Sequence, residues 1–254
     1  MNGHLEITTR IGCRLACSFC PQKTLVTNYE SDEKVFTVEN FTKVISTVPT
    51  SIDIHFSGFA EPFLNPDTPK MMQTAHEKGH KIHLYSTMVG ITEEGANILK
   101  SVNPQIIRIH VADPNAMKIA DDKWIESHEI FYNTGLKGSY MAMGHVSEKV
   151  KNYLDSKGIT YEIPTMLSRG GNLSINKMHI NGPIGCAMDR WHQNVVLPDG
   201  NVYICCMDYG LTMPAGNLLT DDYQTIWNKA EQYKNNHNPP ENSICRSCEW
   251  AHRR

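Results

Sequence analysis

The chain has 254 residues, 40% of them apolar, and carries 24 Lys plus Arg against 27 Asp plus Glu for a formal net charge of −3. That length allows one large α/β unit with a small appendage, and the apolar share is that of a packed core rather than a disordered chain. The charge balance gives no basic footprint for nucleic acid, no stretch reaches the apolar length of a membrane span, and the opening MNGHLEITTRIGCRL lacks the blocks of an export signal, so a cytoplasmic protein acting on a small molecule is expected.

In chain order, residues 5–11, 51–57, 81–86, 105–111, 138–143 and 160–164 read as β-strands. Between them, residues 38–48, 69–78, 92–101, 121–133 and 147–156 carry apolar residues at helical spacing, several opened by Thr, Asp or Ser caps. Strands alternating with helices predict an α/β fold, a partial (β/α)6 TIM-like barrel over residues 1–175, with its chemistry on loops at the C-terminal strand ends. Only the Gly170–Gly171 pair and a drop in periodicity mark a junction; residues 176–254 are expected to form a small C-terminal domain. There Pro198-Asp199-Gly200 is a tight-turn signal, so that domain is expected to be built on a β-hairpin.

The eight cysteines fall in two groups: Cys13, Cys17 and Cys20 near the start, and Cys186, Cys205, Cys206, Cys245 and Cys248 in the last third. In a chain of this size without an export signal, reduced thiols serving metal or catalysis are expected over disulfides. The first three sit on one loop directly after the first strand. Three thiolates so close can hold three irons of a cubane cluster and leave the fourth open, whereas a structural zinc site wants four ligands. In the tail, a hairpin cysteine with the distant Cys245-Arg246-Ser247-Cys248 pair can close a four-thiolate cage around a cluster or a zinc ion. Read without further context, Glu61 is a carboxylate at a strand exit, Ser86 and Thr87 are turn or cap residues, and His55 and His83 are core histidines. Trp191, Trp227 and Tyr203 read as core of the small domain.

The Cys13/Cys17/Cys20 spacing, with Phe19 before the last cysteine, resembles the radical S-adenosylmethionine (SAM) superfamily. The resemblance implies a [4Fe–4S] cluster on these three cysteines and SAM on its open iron. Ser57-Gly58-Phe59-Ala60-Glu61-Pro62 is similar to that family's glycine-rich acidic motif beside the methionyl amino group, with Ala60 where glycine is common. Phe19, Gly58, Glu61, Pro62 and Ser86 are thereby implied as SAM contacts, with Thr87 alongside Ser86. The tail is similar to the SPASM/twitch extensions of the family, which implies a second [4Fe–4S] cluster on Cys186, Cys205, Cys245 and Cys248. Cys206 either exchanges with Cys205 or packs as a small buried hydrophobe.

In such enzymes SAM is reductively cleaved to a 5′-deoxyadenosyl radical that abstracts a substrate hydrogen, with a flavodoxin or ferredoxin as reducing partner. A fully ligated auxiliary cluster would then accept an electron, making the net reaction a dehydrogenation of a small molecule. The layout resembles twitch dehydrogenases of the 2-deoxy-scyllo-inosamine type more than peptide-modifying SPASM enzymes; an epimerase or peptide modifier is the alternative, and Cys206 the residue that would serve an epimerase. Ser168-Arg169-Gly170-Gly171-Asn172 looks like a segment that twitch enzymes place beside substrate, so Arg169 is the candidate catalytic residue, unless it only makes interdomain hydrogen bonds. His110, Asp113 and Asp208 are candidate proton acceptors.

Overall fold

Strict alternation of apolar and polar residues along parallel strands gives this sheet one dry face and one wet one. The computed structural model describes residues 1–173 and 178–254. In chain order these form β1 (Gly3–Ile7), α1 (Gln22–Asn28), α2 (Val38–Thr47), β2 (Ile52–Phe56), α3 (Thr68–Glu77), β3 (Ile82–Ser86), α4 (Glu93–Val102), β4 (Ile106–His110), α5 (Asp121–Tyr132), β5 (Ser139–Met141) and α6 (Glu148–Ser156). They continue as β6 (Ile184–Cys186), β7 (Gln193–Val196), β8 (Asn201–Tyr203), β9 (Pro214–Asn217), α7 (Tyr223–Asn236) and β10 (Ala251–Arg253). No helix among the described residues is long and apolar enough to cross a membrane.

One sheet takes the order β5-β4-β3-β2-β1-β7-β8-β9, and β10 pairs with β6 apart from it. Strands β1 to β5 are parallel neighbours, each reached through a helix-bearing crossover, which is the partial barrel expected. The sixth strand expected at residues 160–164 is reduced to a parallel bridge between Met141 and Glu162, secured by Ala142 N donating to Glu162 O at 2.9 Å and Glu162 N to Tyr140 O at 3.1 Å. Two causes act together: β5 is itself only three residues long, and Pro164 has no N–H to extend a ladder. The free edge of β1 is instead taken by β7, parallel to it, with Leu5 opposite Asn194 and Ile7 opposite Val196. The division expected after residue 175 falls within residues 174–177, outside the described residues.

The expected hairpin is present as antiparallel β7 and β8 around Pro198-Asp199-Gly200, closed by Leu197 N donating to Asn201 O at 2.9 Å. Gly200 sits at φ +82°, a left-handed conformation glycine adopts without strain. Helix α7 went unassigned from sequence although its signals were there: Asp222 caps it by accepting from Thr225 N at 2.8 Å, and Tyr223, Ile226 and Ala230 fall on one buried stripe.

On the convex face Leu5, Ile7, Ile54, Phe56, Leu84 and Ile109 are fully buried against the helices, which contribute Phe41, Val44, Met71, Leu99 and Trp124. Parallel sheets usually bury both faces and read as continuous apolar runs. Here the intervening residues are His4 and Glu6 on β1, His55 on β2, Tyr85 on β3, and Arg108 and His110 on β4, and they line a cavity of about 490 Å³. The barrel is therefore hollow and polar inside.

Helix α5 is fixed to this wall by Trp124, whose Nε1 donates to the His110 carbonyl at 3.1 Å and whose ring stacks on His128 at 5.0 Å. Both His128 nitrogens face hydroxyls at 2.8 Å, those of Tyr153 and Tyr140. Burial pushes the His128 pKa down to about 4, and burial with Arg169 and Arg108 does the same to His110. Unfolding releases both rings to the ordinary value of 6.5, so below it the unfolded chain binds protons that the folded chain does not. Their contribution is complete above pH 6.5 and is lost as the pH falls toward 4. Urea midpoints measured from about pH 7.5 down to about pH 4.5 will fall, and His128→Gln will make that fall shallower; an unchanged slope would contradict the assignment.

Candidate functional site

The cysteine loop leaves β1 through two buried threonines and is fastened on both flanks. Thr9 O accepts from Phe36 N at 2.9 Å and from Asn65 Nδ2 at 3.0 Å, and Ile11 N donates to Lys34 O at 2.8 Å. On the far side Ser18 N donates to Ala116 O and Lys118 N to Leu15 O, both at 2.7 Å. Between the cysteines Ala16 is held at φ +43°, a region that side-chain-bearing residues seldom occupy. Gln22, the first residue of α1, completes the bracket: its Oε1 accepts from Cys13 N at 3.2 Å, and its Nε2 donates to Cys20 Sγ at 3.4 Å and to Phe59 O.

Cys13, Cys17, Phe19 and Cys20 all line the cavity. Burial, then Cys20 and Cys13, push the Cys17 thiol up to about 12, and burial raises Cys13 as well. The burial that holds Cys13 and Cys17 protonated is relieved when a cationic centre replaces their protons, and Cys20 lines the same cavity beside them. The set therefore fits three irons of a cubane, and Gln22 and Tyr209 stand where they can tune its sulfurs: the Tyr209 hydroxyl is 3.6 Å from Cys20 Sγ.

Across the cavity lies the loop after β2. Gly58 sits at φ +54°, and a Cβ there would lie 2.8 Å from the Thr8 backbone, so only glycine fits. Glu61 is not the solvated carboxylate of a plain strand exit. Its Oε1 accepts from Ser86 Oγ at 2.5 Å and Phe63 N at 3.2 Å, and its Oε2 from Thr87 N at 2.6 Å and Thr87 Oγ1 at 2.8 Å. Pro62 opens a short 3-10 turn, and its carbonyl accepts from Thr9 Oγ1 at 3.1 Å and Thr68 Oγ1 at 2.6 Å. Glu61 thus ties the exits of β2 and β3 together and Pro62 ties them to the wall that carries the cysteine loop, while Gly58, Glu61 and Ser86 all border the same cavity.

The second thiol group forms where the chain end folds back. Strand β10 pairs with β6 so that Ala251 faces Cys186, which brings Cys186 beside the 3-10 turn Ile244–Arg246 and its Cys245 and Cys248. Burial, then Cys248 and Cys186, push Cys245 up to about 12; burial, then Glu249 and Cys186, push Cys248 up to about 11. Cys205 follows β8 and bridges to Gln193, and the Arg190 guanidinium interacts with Cys205, Cys206 and Cys248 alike. Cys206 differs from its neighbour: it lines the main cavity and accepts from Arg190 Nη1 at 3.5 Å, and the Cys205 sulfur together with burial keeps it protonated.

Arg169 enters the same cavity from a loop anchored to the second thiol group. The Glu249 carboxylate, next to Cys248, accepts from Ser168 Oγ at 2.6 Å and Gly170 N at 2.9 Å, and Asn172 Nδ2 donates to Met207 O at 2.9 Å. A Cβ on Gly171 would lie 2.8 Å from the Ser247 backbone, and Arg169 itself is held at φ +54°. Two of the three candidate proton acceptors are committed elsewhere. Asp113 accepts from Asn115 N at 2.9 Å and His145 N at 3.0 Å, and Asp208 from Thr212 N at 3.0 Å and Met213 N at 2.8 Å. His110 remains, in the cavity wall near Arg169. Tyr209, Arg190 and Glu249 escaped sequence reasoning because each acts through contacts distant in sequence, and Gln22, although two residues past Cys20, because a neutral amide beside a cysteine run carries no signal of its own.

Comparison with known proteins agrees with this geometry. The radical SAM superfamily model matches residues 7–155, and the SPASM iron-sulfur cluster-binding domain matches residues 186–249. The crystal structure of BtrN in complex with AdoMet and 2-DOIA is similar with a TM-score of 0.61 at 16% identity, covering 92% of this chain and 86% of that one. Streptococcus suis SuiB bound to precursor peptide SuiA aligns with a TM-score of 0.68 at 14% identity, over 98% of this chain and 70% of that one. A PqqA peptide cyclase of Streptomyces rochei is 29% identical over 116 residues, 44% of this chain and 30% of the relative's length.

Glu61→Gln turns one acceptor oxygen into a donor facing other donors. It is expected to cost about 1–3 kcal/mol in urea unfolding and to weaken SAM in equilibrium dialysis, with iron content unchanged; wild-type stability and affinity would refute the bracket.

Proposed function

The chain belongs to the radical SAM superfamily, and from that premise we propose that it removes a hydrogen atom from a small molecule and completes a two-electron oxidation of it beside the second thiol group. SAM and iron–sulfur clusters are its cofactors. Cys13, Cys17 and Cys20 hold the first [4Fe–4S] cluster in this reading, and Cys186, Cys205, Cys245 and Cys248 the second, with the functional division near residue 175. When bound, these groups supply reductive cleavage of SAM at the first site and an electron acceptor at the second.

The observation that carries the reading is Glu249. Its carboxylate fastens the Arg169 loop to the Cys245–Cys248 segment, which supports a substrate oxygen held by Arg169 lying close to the electron acceptor. The Arg169 guanidinium donates to that oxygen and stabilises charge developing on it. The His110 imidazole, kept neutral by burial, accepts the proton the oxygen releases. Phe19, Gly58, Glu61 and Ser86, which line the cavity, hold and orient SAM, with Pro62 setting the turn that follows Glu61. A flavodoxin or ferredoxin in a reducing cytoplasm supplies the electron.

A second reading is favoured by Cys206, which faces the cavity outside both proposed ligand sets. There it would return a hydrogen atom to the substrate, making the enzyme an epimerase, and a peptide in place of a small molecule would make it a peptide modifier.

Anaerobic reconstitution is expected to give about eight irons per chain, and Cys13→Ala/Cys17→Ala/Cys20→Ala to lose about four of them together with reductant-dependent release of 5′-deoxyadenosine; zinc in place of iron would overturn the proposal. Cys206→Ala is expected to keep both its iron and its turnover of deuterium-labelled substrate, whereas lost turnover at full iron content would select the epimerase.

A further inference from the structure

The concave face of β2 and β3, below the cysteines, holds a group that the proposed reaction does not use. Asp53 and His55 lie two apart on β2 and so share the concave face, and His83 on β3 is in register with His55. One ligand atom from each of the three lies within 4.8 Å of the other two. The sheet ladder, not a loop, fixes this spacing, so the site is set by the most rigid part of the fold.

The side chains are poorly served by the protein itself. His55 and His83 are each 9% exposed, and His83 Nδ1 is buried with no partner at full hydrogen-bond geometry, the Gln105 side chain interacting with the ring only weakly from outside the trio. The His83 Nε2 stands 3.9 Å from Asp53 Oδ2, too long for a hydrogen bond. A buried imidazole left this way costs stability unless something else engages it. His4 stacks on the other face of His55 at 3.9 Å between ring centroids, and His55 stacks on His83 at 4.4 Å, which holds the ring planes. Both imidazoles are kept neutral by burial, the form in which histidine binds metal.

We propose that Asp53, His55 and His83 form a site for a divalent cation of the zinc class, distinct from the iron–sulfur centres. Two imidazoles and one carboxylate suit zinc and its neighbours in the first transition row, and a neutral N/O set is a poor home for iron–sulfur chemistry, which takes thiolates. Metal–ligand distances of about 2.0–2.2 Å require the three donor atoms to draw in to roughly 3.3 Å apart, and because an imidazole nitrogen binds metal in the plane of its ring, His83 turns out of its stack on His55 as the ion enters while the strands stay fixed. Three protein ligands leave a fourth position for water. Asp53, whose side chain is 31% exposed, opens the site to solvent, and His55 also lines the cavity, so a bound ion joins β2 to β3.

The test uses the full chain with its clusters loaded, so that the cysteines are occupied, and zinc alone as the probe. Elemental analysis after gel filtration is expected to find about one zinc per chain beside the iron, and a chelating-dye competition to show affinity falling at least about tenfold in Asp53→Asn and in His83→Asn. Asp53→Asn is the decisive variant because its partly exposed side chain can change without disturbing the core; iron content and SAM binding are expected to stay at wild-type levels in it. Absence of zinc from the loaded wild type, or equal zinc in wild type and Asp53→Asn, would overturn the site. Neither outcome bears on the cysteine assignments, which the iron count tests separately.

Discussion

Strand β1 is hydrogen-bonded in parallel on both edges, to β2 on one side and β7 on the other, and everything at the site hangs from that ladder. The loop that follows β1 carries the first three cysteines, and the hairpin that begins with β7 leads to Cys205, Cys206 and Tyr209. A small metal-bound tail on a flexible tether would leave the two thiol groups free to drift. Fused into one sheet, the C-terminal segment instead sends Tyr209 to within 3.6 Å of Cys20 and Cys206 into the shared cavity. The separation of the two thiol groups thus becomes a property of backbone hydrogen bonds, and the Glu249 contact to the Arg169 loop adds a second tie.

The cost of this arrangement is a barrel that cannot fill its own interior. Five strands and a single bridge leave the curve open, and the concave face is polar. Stability must come from the convex face, where apolar strand residues meet the helices, and from brackets that bind loops at the strand exits, such as Glu61 with Ser86 and Thr87. Left-handed backbone at Ala16, between Cys13 and Cys17, and at Arg169, in the cavity wall, is strain that the surrounding packing holds in place. Rigid brackets around a hollow suit chemistry in which a reactive species must meet one hydrogen and no water.

Sequence reading recovered the strand–helix alternation because apolar periodicity is a local property: four of six strands stand where it placed them with the ends trimmed, and β1, expected at residues 5–11, lies earlier, at Gly3–Ile7. Residues 160–164 failed because a β-like composition says nothing about whether a neighbour is long enough to pair with, and β5 is not. The three-cysteine loop was legible since its chemistry lies in eight consecutive residues. The fusion of β7 onto β1 was not: nothing at residues 193–196 says which edge they will find. The same holds for Asp113 and Asp208, candidate bases by residue type that fold into backbone-binding roles, and for Glu249, an ordinary acidic residue until the Ser168–Asn172 segment packs against it.

The central claim is that three thiols, and no fourth, hold a cubane whose uncommitted iron receives SAM. Electron paramagnetic resonance of the anaerobically reduced chain, recorded with and without SAM, tests it most directly, with a Cys186→Ala/Cys245→Ala variant to isolate the first centre. The account predicts that SAM changes the signal of that centre in both proteins. A reduced first centre whose spectrum is the same with and without SAM would contradict it.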